Sequence, residues 1–128
     1  MPIVTTQDFD HDLTVHVVTG AITDDEMFET LESFYAGRLT RLLLWDMSQA
    51  DLQTTTADTL RRFVQRAAEL GVRRTGGKTA VITSTALQYG LARMTEAFAK
   101  MEAAPYEFRA FKSHDEALAW LLPVSNGK

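Results

Sequence analysis

The order of apolar patterns along the chain limits the fold more than any other feature of the sequence. Residues 13–19 alternate apolar and polar side chains, as in a strand with one buried face, whereas residues 41–46 and 78–83 are nearly continuous apolar runs. Segments with a helical period separate these runs. Each strand–helix–strand step of this kind predicts a right-handed parallel crossover, so the pattern predicts an α/β fold.

The amino-terminal pattern predicts one antiparallel pair. A first strand is expected within residues 3–9, and the polar turn "DHD" at residues 10–12 leads directly into the next strand. A last strand is predicted over residues 107–112. Residues 1–128 are therefore predicted to form a single domain with a five-stranded mixed sheet, an N-terminal antiparallel hairpin and four helices.

Capping signals locate the starts of the first and last helices. Thr23 with Glu26, and Ser113 with Glu116, fit the capping box, in which two side chains satisfy the free amides of a helix start. The first helix is expected to bury one apolar face, which consists of Met27, Phe28, Leu31, Phe34 and Tyr35.

Apolar periodicity defines the second and third helices. The second is predicted over residues 57–70, with Leu60, Phe63, Val64 and Ala67 facing inward. The third is predicted over residues 86–102, and Gly90 within it is expected to allow close packing of the helix on the sheet or, as the alternative, the approach of a ligand. The apolar stripe predicted to face the core from this helix is Leu87, Leu91, Met94, Phe98 and Met101.

Composition excludes several classes of function. The absence of cysteine excludes disulfides, thiolate catalysis and Cys-based zinc sites. A net charge of −4 and a pI near 5.3 disfavour nucleic-acid binding. The longest apolar stretch, residues 117–124, is too short to span a membrane, and residues 1–12 lack the pattern of a signal peptide. We therefore expect a cytoplasmic protein with no nucleic-acid partner and no integral membrane segment.

The charge is divided unevenly along the chain. Residues 1–58 carry eleven acidic and two basic side chains, a net charge of −9, whereas residues 59–128 carry six acidic and eleven basic side chains, a net charge of +5. Such a separation can steer a charged partner, although solvated helix faces and a basic loop would give the same pattern.

Motifs for phosphate, metal and nucleophilic chemistry are incomplete. The stretch "VRRTGGKT" at residues 72–79 has Val72 in place of the first glycine of a phosphate-binding loop, and it precedes a strand instead of following one. In "DFDHD", residues 8–12, a calcium loop would need glycine at Leu13 and glutamate at Thr19. The three histidines lack metal-ligand spacing, and no nucleophile motif is present. We expect no catalytic residue, metal or cofactor.

Four stretches match a known protein pattern, and they read "VTGAITDDE", "LLLWDMS", "YGLARMTEAF" and "FRAFKSHDEALAWL". On these stretches the chain resembles the SpoIIAA-like proteins of the STAS superfamily, which are close in fold to CRAL-TRIO lipid-transfer domains. The resemblance spans nearly the whole domain. It implies a bacterial protein with a STAS-type fold, and it carries over no catalytic residue.

The resemblance also draws attention to three consecutive threonines. In the anti-sigma-factor antagonists of the superfamily, the corresponding loop reads Asp-Leu-Ser, several residues, then Asp-Ser-Ser-Gly, and phosphorylation of a serine there controls binding to a partner kinase. Here "WDMS" matches the strand end, and Thr54, Thr55 and Thr56 occupy the phosphorylated region without its acidic residue or glycine. We therefore expect Thr55 or Thr56 to be the helix N-cap, and no phosphorylation switch.

Two functions follow from the resemblance. The first is a non-enzymatic regulatory or protein-interaction module. Its expected surface lies at the carboxyl ends of the parallel strands and consists of Asp46, Ser48, Thr54, Thr55, Thr56 and Ser84. Asp46 is alternatively a structural acceptor in an Asp-x-Ser turn.

The second function is a carrier or sensor of a small apolar, lipid-like ligand. Its cavity would lie under the third helix and would be lined by Leu87, Leu91, Met94, Phe98 and Met101. That stripe is narrower than a usual core-facing helix face, which also fits plain core. The expected partner is thus an unidentified protein or a small apolar ligand, and a homodimer is compatible with either function.

Overall fold

The computed structural model describes residues 2–123 and confirms the predicted α/β architecture. The strands are β1 (Ile3–Asp8), β2 (Leu13–Ala21), β3 (Leu42–Asp51), β4 (Lys78–Ile82) and β5 (Glu107–Phe111). The helices are α1 (Asp24–Ala36), α2 (Ala57–Leu70), α3 (Ala86–Met101) and α4 (His114–Leu121). Val124, at the end of the longest apolar stretch of the sequence, lies outside the described residues.

The five strands form one sheet in the order β1-β2-β3-β4-β5. β1 and β2 are antiparallel, as predicted for the hairpin, and the other three pairs are parallel. The carboxyl ends of β2, β3 and β4 therefore lie at one edge of the sheet, followed by the starts of α1, α2 and α3. None of the helices within residues 2–123 has the length and apolar character needed to cross a membrane.

The helices cover the two faces of the sheet unequally. Side chains of α1, α2 and α3 join the larger apolar cluster on one face, whereas α4 contributes Ala117 and Leu121 to a smaller cluster on the other face. The predicted inward residues of α2 are all buried, as are four of the five predicted for α1, where Phe28 is half-buried. Burial of these apolar faces is the main favourable contribution to folding.

The predicted inward face of α3 is wrong. Leu87, Met94 and Met101 are 48%, 37% and 73% exposed, and Leu91 and Phe98 are only half-buried. The buried residues of α3 are Gln88, Ala92, Thr95 and Ala99. Small side chains let this helix lie close to α2 and the sheet, and the hydroxyl of Thr95 is satisfied by the Leu91 carbonyl at 2.8 Å. The interior of α3 is thus built from its small and polar residues.

The prediction for Gly90 is also wrong. Gly90 is exposed, and a Cβ placed on it would meet no atom within 4 Å. Close packing of α3 on the sheet therefore does not require this glycine.

The connection between α2 and β4 is organised by a buried arginine. The chain makes a short 3-10 turn over Gly71–Arg74, and the Arg74 side chain is 2% exposed. Its guanidinium donates five hydrogen bonds, to the carbonyls of Thr40, Arg41 and Lys78 and to the hydroxyls of Tyr35 and Thr79. The basic, glycine-rich stretch at residues 72–79 thereby fixes the start of β4.

Candidate functional site

Three helix starts meet at the carboxyl edge of the parallel strands. Their N-caps are Thr23, Thr56 and Thr85, and each hydroxyl accepts a hydrogen bond at 3.1 Å from the amide three residues later. α1 and α2 are joined here, because Thr59 Oγ1 donates to Asp24 Oδ2 at 2.8 Å. The expected interaction surface therefore has a fixed framework of capped helices.

The three threonines of the loop between β3 and α2 have different roles. Thr56 is the N-cap of α2, which confirms one of the two positions predicted, and its hydroxyl also donates to Thr59 Oγ1 at 3.0 Å. Thr55 is half-buried, and its amide donates to the Leu52 carbonyl. Thr54 is exposed in the turn. The prediction that Thr55 or Thr56 is the N-cap is therefore confirmed, with Thr56 as the cap.

The sequence predicted that the third strand ends at Asp46. In the structure β3 continues to Asp51, so Asp46 lies within the strand. Val17 pairs with Asp46 and Thr19 pairs with Gln49, so β3 has one extra residue at this point, a β-bulge. Asp46 Oδ1 accepts hydrogen bonds from the Ser48 amide at 3.0 Å and from Ser48 Oγ at 2.6 Å. The Asp-x-Ser turn predicted from the sequence thus exists as the local structure of the bulge, and β3 continues through it.

Beyond the bulge, the first turn of α3 takes the place of a neighbouring strand. β4 pairs with β3 only as far as Asp46. Ser84 Oγ then donates to the Ser48 carbonyl at 2.6 Å, and Gln88 Nε2 donates to the Ala50 carbonyl at 2.9 Å. Asp46, Ser48 and Ser84 are therefore brought together as predicted, in one continuous set of hydrogen bonds.

An apolar cavity of about 70 Å³ lies beside this polar set, between α2, α3 and the sheet. The loop between β3 and α2 contributes Leu52 and Thr55 to its wall, and α3 contributes its inner face, from Gln88 to Thr95. Of the five residues predicted to line a ligand cavity, only Leu91 does so. Leu87, Met94, Phe98 and Met101 are excluded from its wall because α3 presents a different face to the core.

A buried histidine, His16, lies in β2, whereas Asp46 and Ser48 of the expected surface lie in β3. The His16 ring packs against the larger apolar cluster, with its centroid 4.4 Å from that of the Trp45 ring. Burial lowers the pKa of His16 to about 4. Within residues 2–123, no three His, Asp or Glu side chains converge as a metal site would require. The edge can therefore offer hydrogen-bonding and apolar contacts to a partner.

Sequence reasoning missed Gln88, the residue that connects most of this site. Gln88 is 4% exposed, and its side-chain oxygen accepts from the Ser84 and Thr85 amides while its nitrogen reaches Ala50. The pair Thr85 and Gln88 fits the capping box, which was a readable signal for the helix start. The bond to β3 spans 38 residues and had no local signal.

Comparison with protein-family models and with curated protein sequences gives no match for this chain.

Proposed function

We propose that the protein is a non-enzymatic interaction module that binds another protein at the carboxyl edge of its parallel strands. The observation that carries this proposal is the hydrogen-bonded set formed by Asp46, Ser48, Ser84 and Gln88. These bonds hold the bulge of β3 and the start of α3 in one arrangement, and a preorganised surface loses less entropy on binding. Thr54, which belongs to the surface expected from the sequence, is exposed in the turn between β3 and α2.

The chemistry of the same groups supports a binding role. Asp46 accepts a hydrogen bond from the Ser48 hydroxyl, but none of the described histidines is among their hydrogen-bond partners to act as a general base. Thr56 uses its hydroxyl in the cap and in the bond to Thr59, so we expect no phosphorylation switch at that position. On the resemblance of its motifs, we place the chain with the cytoplasmic, bacterial SpoIIAA-like proteins of the STAS superfamily.

Site-specific photo-crosslinking tests the proposed surface. A photoreactive amino acid is introduced at Thr54, and a matched control is introduced at Glu69, which is exposed on α2. We expect a discrete protein adduct in native cells from position 54 and none from position 69, and purified partner should protect the Ser84 region from hydrogen exchange. Equal adducts at both positions, or a turnover that depends on Asp46, would contradict the proposal.

A carrier or sensor of a small apolar ligand is the second candidate, because the cavity lies under α3 and has an almost wholly apolar wall. Its volume of about 70 Å³ is well below the roughly 300 Å³ at which small-molecule pockets begin. A lipid-sized ligand would therefore need α3 or the loop before α2 to move. Native mass spectrometry of the purified protein separates the candidates: a bound apolar molecule of stoichiometric amount supports the carrier, and a ligand-free monomer or homodimer supports the interaction module.

A further inference from the structure

The two outer edges of the sheet are treated differently by the fold. On β5, the outward-facing amide of Ala110 donates to Glu96 Oε2 at 2.6 Å, so a side chain of α3 covers that edge. β1 has no such cover within residues 2–123. It pairs with β2 without a register shift, and it has no proline, lysine or bulge along residues 3–8. These are the devices by which proteins usually block an open edge, so β1 is left able to pair with another strand.

The free backbone groups of β1 can be assigned from its register. The Thr19 amide donates to the Pro2 carbonyl at 2.8 Å, which makes this a hydrogen-bonded pair of the antiparallel ladder. Because such pairs alternate along a strand, the backbone groups of Ile3, Thr5 and Gln7 point away from β2. An incoming strand would therefore form its hydrogen bonds with these three residues.

A groove of about 340 Å³ runs beside the same three residues, between β1 and α1. Ile3, Thr5 and Gln7 line it from the strand, and α1 lines it with Glu26 and Glu29 among other residues. The side chains of an added strand alternate between the two faces of the sheet, so every second one would enter this groove. The groove thus supplies the room that strand addition needs.

The charge of the groove indicates the chemistry of its occupant. Neither Glu26 nor Glu29 forms an ion pair with a described residue. The one cation of the groove wall is Arg38, and its guanidinium carbon lies 3.8 Å from the centroid of the Phe9 ring. On the opposite face, Val4 is 56% exposed beside the half-buried Val17. A strand that fits would present cations to the groove and apolar side chains to the valines. A second copy of this chain would instead bring two acidic grooves together.

We propose that β1 is a docking edge for an extended basic segment of another protein, which adds to the sheet as a strand with alternating cationic and apolar residues. Such β-strand addition derives affinity from main-chain hydrogen bonds and specificity from alternate side chains. This surface is separate from the carboxyl edge of the parallel strands, so its test is independent of the function proposed above.

The test uses a short fluorescent peptide that alternates lysine and valine, with a control peptide of the same composition arranged in two blocks. We expect saturable anisotropy for the alternating peptide only, together with slowed amide exchange at Ile3, Thr5 and Gln7. N-methylation of one alternate set of peptide amides should abolish binding, while methylation of the other set, which faces away from β1, should be tolerated. Exchange protection elsewhere, or equal effects of the two methylation patterns, would overturn the proposal.

Charge reversal supplies the matched protein variants. Glu29→Lys should weaken the alternating peptide by about fivefold, the upper range for an exposed ion pair, whereas Glu69→Lys on α2 makes the same change in net charge and should leave affinity unchanged. Both positions are exposed on helices, so both variants are expected to fold. Equal weakening by the two variants would show that the peptide binds through net charge. A protein dimer in sedimentation that the peptide does not dissociate would show that this edge binds a second copy. Either result would overturn the proposal.

Discussion

Arg74 gives the sharpest test of how this fold is stabilised, through the substitution Arg74→Met. The substitution keeps an unbranched side chain of related length but removes the charge and all five donated hydrogen bonds. The Arg41 carbonyl keeps the Lys78 amide as a partner, and hydroxyl groups can reorient. The Thr40 carbonyl loses a buried donor, at about 1–3 kcal/mol, and the Lys78 carbonyl, which pairs in the β3–β4 ladder, loses an additional bond worth about 0.5–1.5 kcal/mol.

The net effect also includes the rings beside the guanidinium. Its central carbon lies 5.6 Å from the Phe34 centroid and 5.0 Å from the Tyr106 centroid, and the loss of these cation–π contacts costs about 0.5–1 kcal/mol each. Removal of a buried cation recovers part of its desolvation cost. We therefore expect Arg74→Met to lower the free energy of unfolding by about 3 kcal/mol, or to shift the urea midpoint by roughly 1.5 M.

Equilibrium urea unfolding, followed by the fluorescence of Trp45 and Trp120, measures this loss. Arg61→Met is the matched control, because Arg61 is an exposed arginine whose ion-pair partner among the described residues is Asp58. Its replacement should change stability by less than about 0.5 kcal/mol. Arg74→Lys retains the charge without the planar fork and should lose at least about 2 kcal/mol. If Arg74→Met had the same free energy of unfolding as the wild type, the five hydrogen bonds would not stabilise the fold. If Arg74→Lys had the wild-type value, the charge of Arg74 alone would account for its contribution to stability.

The folded pKa of His16, about 4, lies below its value of 6.5 in an unfolded chain, so its contribution to stability is complete above pH 6.5 and is lost as pH falls toward 4. Between pH 7 and pH 5 this loss is about 2 kcal/mol in urea unfolding, and His16→Leu should lack it; an unchanged pH dependence in the variant would contradict the assignment. Gly77→Ala places a methyl group against a backbone carbonyl and should cost about 3 kcal/mol, whereas Gly90→Ala on the exposed face of α3 should stabilise by about 1 kcal/mol in the same assay. If Gly90→Ala proved the less stable variant, the environments of the two glycines would be misassigned. Thr56→Ala should cost about 1 kcal/mol through loss of the N-cap, and Thr54→Ala should cost almost nothing, so equal losses in thermal unfolding would be inconsistent with a single cap.

Features that depend on neighbouring residues were predictable from the sequence. The capping box at Thr23 and the start of α2 at Ala57 follow from side chains within one helical turn, and both are found where predicted. The strand orientations follow from the N-terminal hairpin and the later alternation of strands and helices, because each strand–helix–strand step favours a parallel crossover. Local chemistry therefore accounts for most of the architecture.

The inward face of α3 could not be predicted because hydrophobicity and burial diverge there. A hydrophobic pattern ranks Leu87 and Met94 above Ala92 and Thr95, yet a helix that lies close to its neighbours buries its small residues. Arg74 and Gln88 were missed for a second reason. The contacts that bury them join Arg74 to Thr40, 34 positions away, and Gln88 to Ala50, 38 positions away, and no local pattern predicts such contacts.

The substitution of α3 side chains for a strand beside β3 has a consequence for motion. Ser84 and Gln88 donate to the carbonyls of Ser48 and Ala50, so the first turn of α3 cannot lift from the sheet without leaving the buried Ala50 carbonyl without this donor. The end of β3 and the start of α3 should therefore open together, as one cooperative unit in native-state hydrogen exchange. We therefore expect the first turn of α3 to be the part of this helix that moves least when the cavity beneath it opens.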